Sequence, residues 1–209
     1  MSDESKPINP VNEEDLRGDV GVFIDRDGTI NRAGQDEYIT KWNQFEFLPG
    51  ALEGLSILAQ LPVKIFIVTN QSAVHRDMMT VGDLEHIHGM MEFEIVSAGG
   101  RLDGLKYCPH TPREKCTCRK PSDLLFRELA REHAIDLSRS YNIGDHIRDL
   151  QAVEKLEMTN ILVRTGYGKL TEMELTSQAI KVKYIVDSLK EAAEKIRNEL
   201  SELNSNNDR

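Results

Sequence analysis

Asp25 and Asp27 stand two residues apart where an apolar run opens into Phe23-Ile24-Asp25-Arg26-Asp27-Gly28-Thr29. In extended backbone alternate side chains point the same way, so the two carboxylates face one space. Such a pair beside a glycine can hold a divalent cation, and one member can attack phosphorus while the other moves a proton. A turn that merely closes a strand would use the same residue types, so this segment alone does not decide. A second apolar run ends in Thr69-Asn70-Gln71-Ser72, which supplies a hydroxyl, amides and open backbone N–H groups suited to phosphate oxygens. Taken by itself that segment reads more readily as a helix N-cap. A third run ends in Ile143-Gly144-Asp145, and Asp149 follows four residues later, so a helix starting here sets both carboxylates on one face.

A different chemistry sits at Cys108-Pro109-His110 and Cys116-Thr117-Cys118, two pairs of soft ligands around the five-residue turn 111–115. All three cysteines of the chain lie here, and an odd set clustered beside a histidine suits a metal better than disulfides. Four Cys and His ligands leave no open coordination position, the mark of a structural zinc site. A loop of free thiols with one exposed histidine is the plainer alternative, and the density of ligands weighs against it. Arg119, Lys120 and Pro121 follow directly, so a closed metal loop would aim Lys120, and would turn Arg119 towards the far end of a substrate.

The elements that must position these groups follow from the hydrophobic pattern. Short apolar runs at 20–25, 63–69, 104–107, 140–143, 160–164 and 184–186 read as strands of a parallel sheet covered on both faces. Helical patterns at 50–59, 81–98, 122–133, 147–156 and 188–203 alternate with them. Strand and helix in alternation predict one doubly wound, Rossmann-like α/β domain with right-handed crossovers, over 19–203. Ligands bind such sheets at the carboxyl ends of the strands, where the three acidic or phosphate-gripping segments converge. The interval between Asp27 and the first helix is too short for a separate folded cap, so only a flap at 29–47, packed by Trp42, Phe45 and Phe47, and the zinc loop would roof the crevice. Residues 1–18 and 204–209 are expected to be solvated tails.

In chain order, Asp25-x-Asp27-Gly28-Thr29, Thr69, Lys120 and Asp145 with Asp149 match the four motifs of the haloacid dehalogenase superfamily of phosphatases, which the chain resembles over nearly its whole length. More narrowly it is similar to the branch that contains the heptose bisphosphate and histidinol-phosphate phosphatases, through Phe-Ile-Asp-Arg-Asp-Gly-Thr-Ile-Asn, Val-Thr-Asn-Gln-Ser and Cys-x-His-x5-Cys-x-Cys-Arg-Lys-Pro. The resemblance implies Asp25 as the nucleophile that takes the phosphoryl group, and Asp27 as the acid that protonates the leaving alkoxide and then activates water. It implies Mg2+ on Asp25, the backbone carbonyl of Asp27, Asp145 and Asp149, and Zn2+ on Cys108, His110, Cys116 and Cys118. Thr69, Asn70 and Lys120 would grip the phosphoryl group, with Arg26, Gln71, Ser72, Arg76 and Arg119 as further substrate contacts. The implied substrate is D-glycero-D-manno-heptose 1,7-bisphosphate, which loses its 7-phosphate, or else histidinol phosphate. Ala73 after Ser72, where heptose members carry glycine, and His146 after Asp145 depart from the pattern at positions that bear on the substrate.

Composition narrows the field further. With 39% apolar and 29% charged residues among 209, the chain can bury a sizeable core. A net charge of −9 disfavours nucleic acid as a partner but leaves room for a small phosphorylated metabolite. The acidic, polar first residues carry no secretory signal and no run approaches the ~20 apolar residues of a membrane span, so a cytoplasmic monomer is expected. A non-catalytic binding protein of the same fold is the rival from another class, and the intact set Asp25, Asp27, Thr69, Lys120 and Asp145 speaks against it.

Overall fold

Each predicted run becomes a strand of one six-stranded sheet in a computed structural model, which describes residues 18–33 and 38–207. The strands are β1 (Gly21–Ile24), β2 (Lys64–Asn70), β3 (Gly104–Cys108), β4 (Tyr141–Gly144), β5 (Thr159–Val163) and β6 (Tyr184–Val186). They lie in the order β3-β2-β1-β4-β5-β6, and every pairing is parallel. From β1 the chain first winds outward through β2 to β3, then returns beside β1 as β4 and winds the other way. That reversal opens a crevice at the carboxyl ends of β1 and β4, where side chains from both strand ends can meet over one space.

Among the described residues six α-helices cover the sheet: α1 (Ala51–Ala59), α2 (Val81–Ser97), α3 (Leu124–His133), α4 (Ile147–Ala152), α5 (Gly168–Leu175) and α6 (Leu189–Asn207). Alternation along the strands divides the core in two. Val22, Ile24, Ile65 and Ile67 pack with Leu55 and Leu58 of α1 and Ala193 and Ile196 of α6. Phe23, Phe66 and Val68 face the other way, against Phe126 and Leu129 of α3. Three rings anchor that second layer, with Phe23 centred 5.0 Å from Phe66 and 5.5 Å from Phe126. Burying each such side chain contributes roughly 1.5–3 kcal/mol, so the sheet forms a stiff base for its loops.

The structure differs from the sequence reading in three places. The predicted helix 147–156 stops at Ala152 and resumes as a 3-10 turn, Glu154–Leu156, because the chain must reverse at Glu157 (φ +57) to enter β5. Helix α5 was not predicted. Residues 204–207, expected in a tail, instead continue α6 to Asn207. Ser and Asn there cost a helix only a few tenths of a kcal/mol each and supply no stop signal. The tail expected at 1–18 lies outside the described residues, except for Gly18.

Between β1 and α1 the described residues hold only a loop: Asn31 pairs with Phe47, and Trp42–Gln44 makes one 3-10 turn. Trp42 stacks on Phe45 at 5.0 Å, and Phe45 meets Phe47 edge-on at 5.0 Å. No inserted cap domain is present among the described residues. No described helix is long and apolar enough to cross a membrane.

Candidate active site

Asp25 leaves the end of β1 and Asp145 the end of β4, while the first turn of α4 adds Asp149, so three carboxylates from two neighbouring strand ends meet at the crevice. One oxygen from each lies within 4.8 Å of the others, and all three side chains are buried. Asp145 occupies a cradle that glycine alone permits. A Cβ on Gly28 (φ +87) or on Gly166 (φ +52) would come within 2.1 or 2.0 Å of its Oδ2. The same Oδ2 accepts the Tyr167 N–H at 2.7 Å, and Asp149 Oδ2 accepts the His146 N–H at 3.0 Å. Three oriented carboxylates with no competing soft ligand are the donor set that a hard divalent cation takes.

Lys120 is the cation that the chain itself supplies. Its Nζ donates to Asp25 Oδ1 at 2.6 Å and to the Val68 carbonyl at 2.6 Å, and lies 2.8 Å from Asp149 Oδ1. Its own burial favours the neutral amine, but Asp149 and Asp25 outweigh that and keep the ammonium charged. One ammonium does not balance three carboxylates. Burial, opposed by Lys120 and helped by Asp149 and Asp27, pushes Asp25 up to about 6. Burial and the charges of Asp149 and Asp25 raise Asp145 well above its ordinary range. For Asp149 the cost of burial is overcome by Lys120 and Arg148, which hold it low. The excess negative charge is what a divalent cation at this point would relieve.

Asp27 is held apart from that cluster. Its Oδ1 accepts from Arg26 Nη2 at 2.8 Å and from Asn31 Nδ2 at 3.0 Å, and its Oδ2 from Gln71 Nε2 at 2.7 Å. Burial would raise Asp27, yet the Arg26 guanidinium and these donors more than offset it and keep the carboxyl ionised. Arg26, expected to touch substrate, is fully buried behind Asp27 and does not line the cavity. Arg76 is also outside the cavity, exposed beyond Ser72, with its guanidinium 5.4 Å from the Tyr38 ring centre.

Thr69, Asn70, Gln71, Ser72, Arg119 and Lys120 all line the cavity of about 150 Å³ together with Asp25, Asp27 and Asp145. Their free hydrogen-bonding capacity differs. Gln71 donates to both Asp27 Oδ2 and Thr69 Oγ1 (2.9 Å), so its amide is consumed within the wall. Thr69 Oγ1 accepts that bond and so keeps its single proton for a group in the cavity. Asn70 clasps the backbone of Lys120, accepting its N–H at 3.0 Å and donating to its carbonyl at 3.2 Å. Five lining residues were not singled out from the sequence: Ala33, Tyr38, Ile39, Arg148 and Tyr167. The signal for Tyr167 was the pair Gly166 and Gly168 at a further strand end; Arg148 stood unweighed between the two aspartates of the fourth motif.

The sulfur and imidazole groups also converge. Cys108 Sγ lies 3.5 Å from His110 Nδ1 and 3.5 Å from Cys116 Sγ, and Cys118 Sγ lies 3.2 Å from His110 Nδ1 and 3.5 Å from Cys116 Sγ. A tetrahedral zinc with Zn–S near 2.3 Å sets its ligand atoms about 3.8 Å apart, close to this spacing. The turn between the pairs is closed by Glu114, whose Oε2 accepts from Thr111 N at 2.6 Å, and Lys115 reverses the chain at φ +48. His75 then bridges to the loop, 2.8 Å from Glu114 Oε1 and with its ring 4.7 Å from that of His110.

This geometry has counterparts among known proteins. Residues 117–192 match the HAD-hydrolase-like family model. D-glycero-beta-D-manno-heptose-1,7-bisphosphate 7-phosphatase of Bordetella bronchiseptica is 34% identical over 150 residues, 72% of this chain and 83% of that protein. The enzyme of the same name from Helicobacter pylori is 37% identical over 145 residues, 69% of this chain and 82% of its own. The crystal structure of the B. bronchiseptica D,D-heptose 1,7-bisphosphate phosphatase, complexed with magnesium and phosphate, superposes with a TM-score of 0.79 at 31% identity, over 86% of this chain and 99% of that one. Carboxylates from β1 and β4, a lysine between them and relatives at this level of identity lead to one conclusion: the chain belongs to the HAD-like hydrolases, in the family of the heptose 1,7-bisphosphate 7-phosphatases.

Proposed function

We propose that the chain hydrolyses the 7-phosphate of D-glycero-D-manno-heptose 1,7-bisphosphate through a phosphorylated Asp25, with Mg2+ at Asp25, the Asp27 carbonyl, Asp145 and Asp149. The observation that carries the reading is the meeting of Asp25, Asp145, Asp149 and Lys120 at the sheet's switch point. When bound, Mg2+ draws charge from the phosphoryl oxygens and lets an anionic carboxylate approach them. The Asp25 carboxylate oxygen attacks phosphorus, and the bond from phosphorus to the sugar oxygen breaks. Asp27 gives that oxygen its proton. The ionised Asp27 of the resting site gains this proton once a phosphate dianion lies beside it, since added negative charge raises a carboxyl pKa. In the second half, Asp27 takes a proton from water as the water attacks the phosphoryl group on Asp25, which releases phosphate, restores the Asp25 carboxylate and leaves the proton on Asp27, to be given up to solvent as the phosphate departs. Thr69 offers its hydroxyl proton to the phosphoryl oxygens, and Lys120 exchanges its Asp25 contact for one of them.

Arg119 and Arg148 both line the cavity, and each favours a second anionic group at the far end of the substrate. Histidinol phosphate carries an ammonium and an imidazole there instead, which two guanidinium groups repel. Phosphate release from the purified protein should therefore be at least about tenfold faster, in kcat/KM, from the heptose bisphosphate than from histidinol phosphate, and should stop with a chelator. Faster release from histidinol phosphate would overturn the assignment.

Zn2+ in the Cys108, His110, Cys116 and Cys118 loop would be structural, holding Lys120 through the chain that follows Cys118. Cys116→Ser is expected to lose bound zinc and lower Tm, because a missing ligand removes metal-binding free energy from the fold. Metal analysis and thermal melts read this. Full zinc content and an unchanged Tm in that variant would count against a zinc role.

A further inference from the structure

We propose that His88, on α2 and outside the active-site cavity, is a positioning residue for Asp27 and acts through the buried Arg26. Arg26 has no exposure and His88 only 8%. The guanidinium of Arg26 spans two ends: Nη2 lies 2.8 and 2.9 Å from the two oxygens of Asp27, and Nη1 lies 3.1 Å from His88 Nε2. Gln71 Oε1 accepts from Nη2 at 3.0 Å, and the Phe45 ring covers the group at 6.0 Å. A guanidinium only donates, so His88 Nε2 must present its lone pair, and the imidazole carries its proton on Nδ1. The neutral ring thus completes the wall around a buried cation without cancelling the charge that Asp27 meets. On its other side the ring borders a separate surface cavity with Glu85, Glu92 and Tyr107, away from the carboxylate cluster.

The inference rests on the reading of Asp27 as the acid that protonates the leaving group, and that reading supplies a selective test. A sugar alkoxide must be protonated to leave, whereas p-nitrophenolate departs as the anion. Because kcat/KM covers events only up to the first irreversible step, transfer to Asp25, a misplaced Asp27 slows the sugar ester and spares the aryl ester.

His88→Leu removes the acceptor and frees Arg26 to shift. It is expected to lower kcat/KM on the sugar bisphosphate by about 10- to 100-fold, the size of loss a roughly 1 Å misplacement brings. On p-nitrophenyl phosphate the change should be less than about threefold, and His88→Gln, whose Oε1 can accept from Arg26, should recover most of the loss. Arg26→Lys keeps the charge but not the fork, and gives the same selective pattern should His88→Leu fail to fold. Asp27→Asn is measured alongside. A selective loss in Asp27→Asn, with equal losses on both esters or no loss in His88→Leu and Arg26→Lys, overturns the role of His88 alone. Equal losses on both esters in Asp27→Asn overturn the acid reading, and the role of His88 falls with it.

Discussion

Asp25→Asn is expected to lose at least about four orders of magnitude in kcat while remaining folded, because an amide of the same shape cannot attack phosphorus. The same change should make the metal-free protein more stable. Burial raises the Asp25 carboxyl from 3.8 to about 6, so at neutral pH the fold holds a charge it disfavours by on the order of 3 kcal/mol. The sign follows from the direction: a carboxyl raised on folding costs stability once pH exceeds its unfolded value, and Asn removes that cost. Lys120 keeps Asp149 and the Val68 carbonyl as partners in the variant. Thermal melts without metal should show Tm higher by several degrees, alongside a phosphate-release assay at background. A folded Asp25→Asn protein with turnover within tenfold of the parent would refute covalent catalysis at this residue.

Lys120→Met should be nearly as damaging to activity and opposite in stability. The side chain that spans Asp25 and Asp149 is almost fully buried, and its removal leaves two carboxylates without their cation. Breaking a buried pair from one side costs about 3–5 kcal/mol, while losing a positioned charge on the transferring phosphoryl group costs at least about three orders of magnitude in kcat/KM. Added Mg2+ can take over part of the missing positive charge, so the rise of Tm on adding Mg2+ should be larger in Lys120→Met than in the parent. Melts at fixed protein concentration with and without the cation measure both effects. An equal or smaller Mg2+ response would show that Lys120 and the cation site are not electrostatically linked.

These effects trace back to what the sequence made legible and what it did not. The strand ends could be read because burial on both faces forces continuous apolar runs, and the acidic residues interrupt them abruptly at Asp25 and Asp145. The convergence of Cys108, His110, Cys116 and Cys118 could be read because Cys and His at such density have few other uses. Arg26 was misplaced for a physical reason: its position between two aspartates suggests a basic group facing an anion, and only the packing of α2 and Phe45 shows it turned inward onto His88. His88 itself, at helical spacing on an amphipathic segment, carries no local sign that its partner lies 62 residues away. Helix α5 was not read because Gly166 and Gly168 stand at its start and Tyr167 gives it no side-chain cap, although Lys169, Leu170, Glu172, Met173, Glu174 and Leu175 are good helix formers. Tyr167, just before it, reaches Asp145 through a backbone N–H, a contact that any residue type but proline would make.

The measurement that bears most directly on the central claim is to stop the enzyme with acid during turnover of heptose 1,7-bisphosphate in Mg2+ and to locate the phosphoryl group by peptide mapping. The account predicts an acid-stable, hydroxylamine-sensitive acyl phosphate on the peptide containing Asp25, formed at a rate that keeps pace with turnover and absent when chelator is present. Sustained phosphate release with Asp25 never phosphorylated, or with the phosphoryl group on another residue, would contradict it.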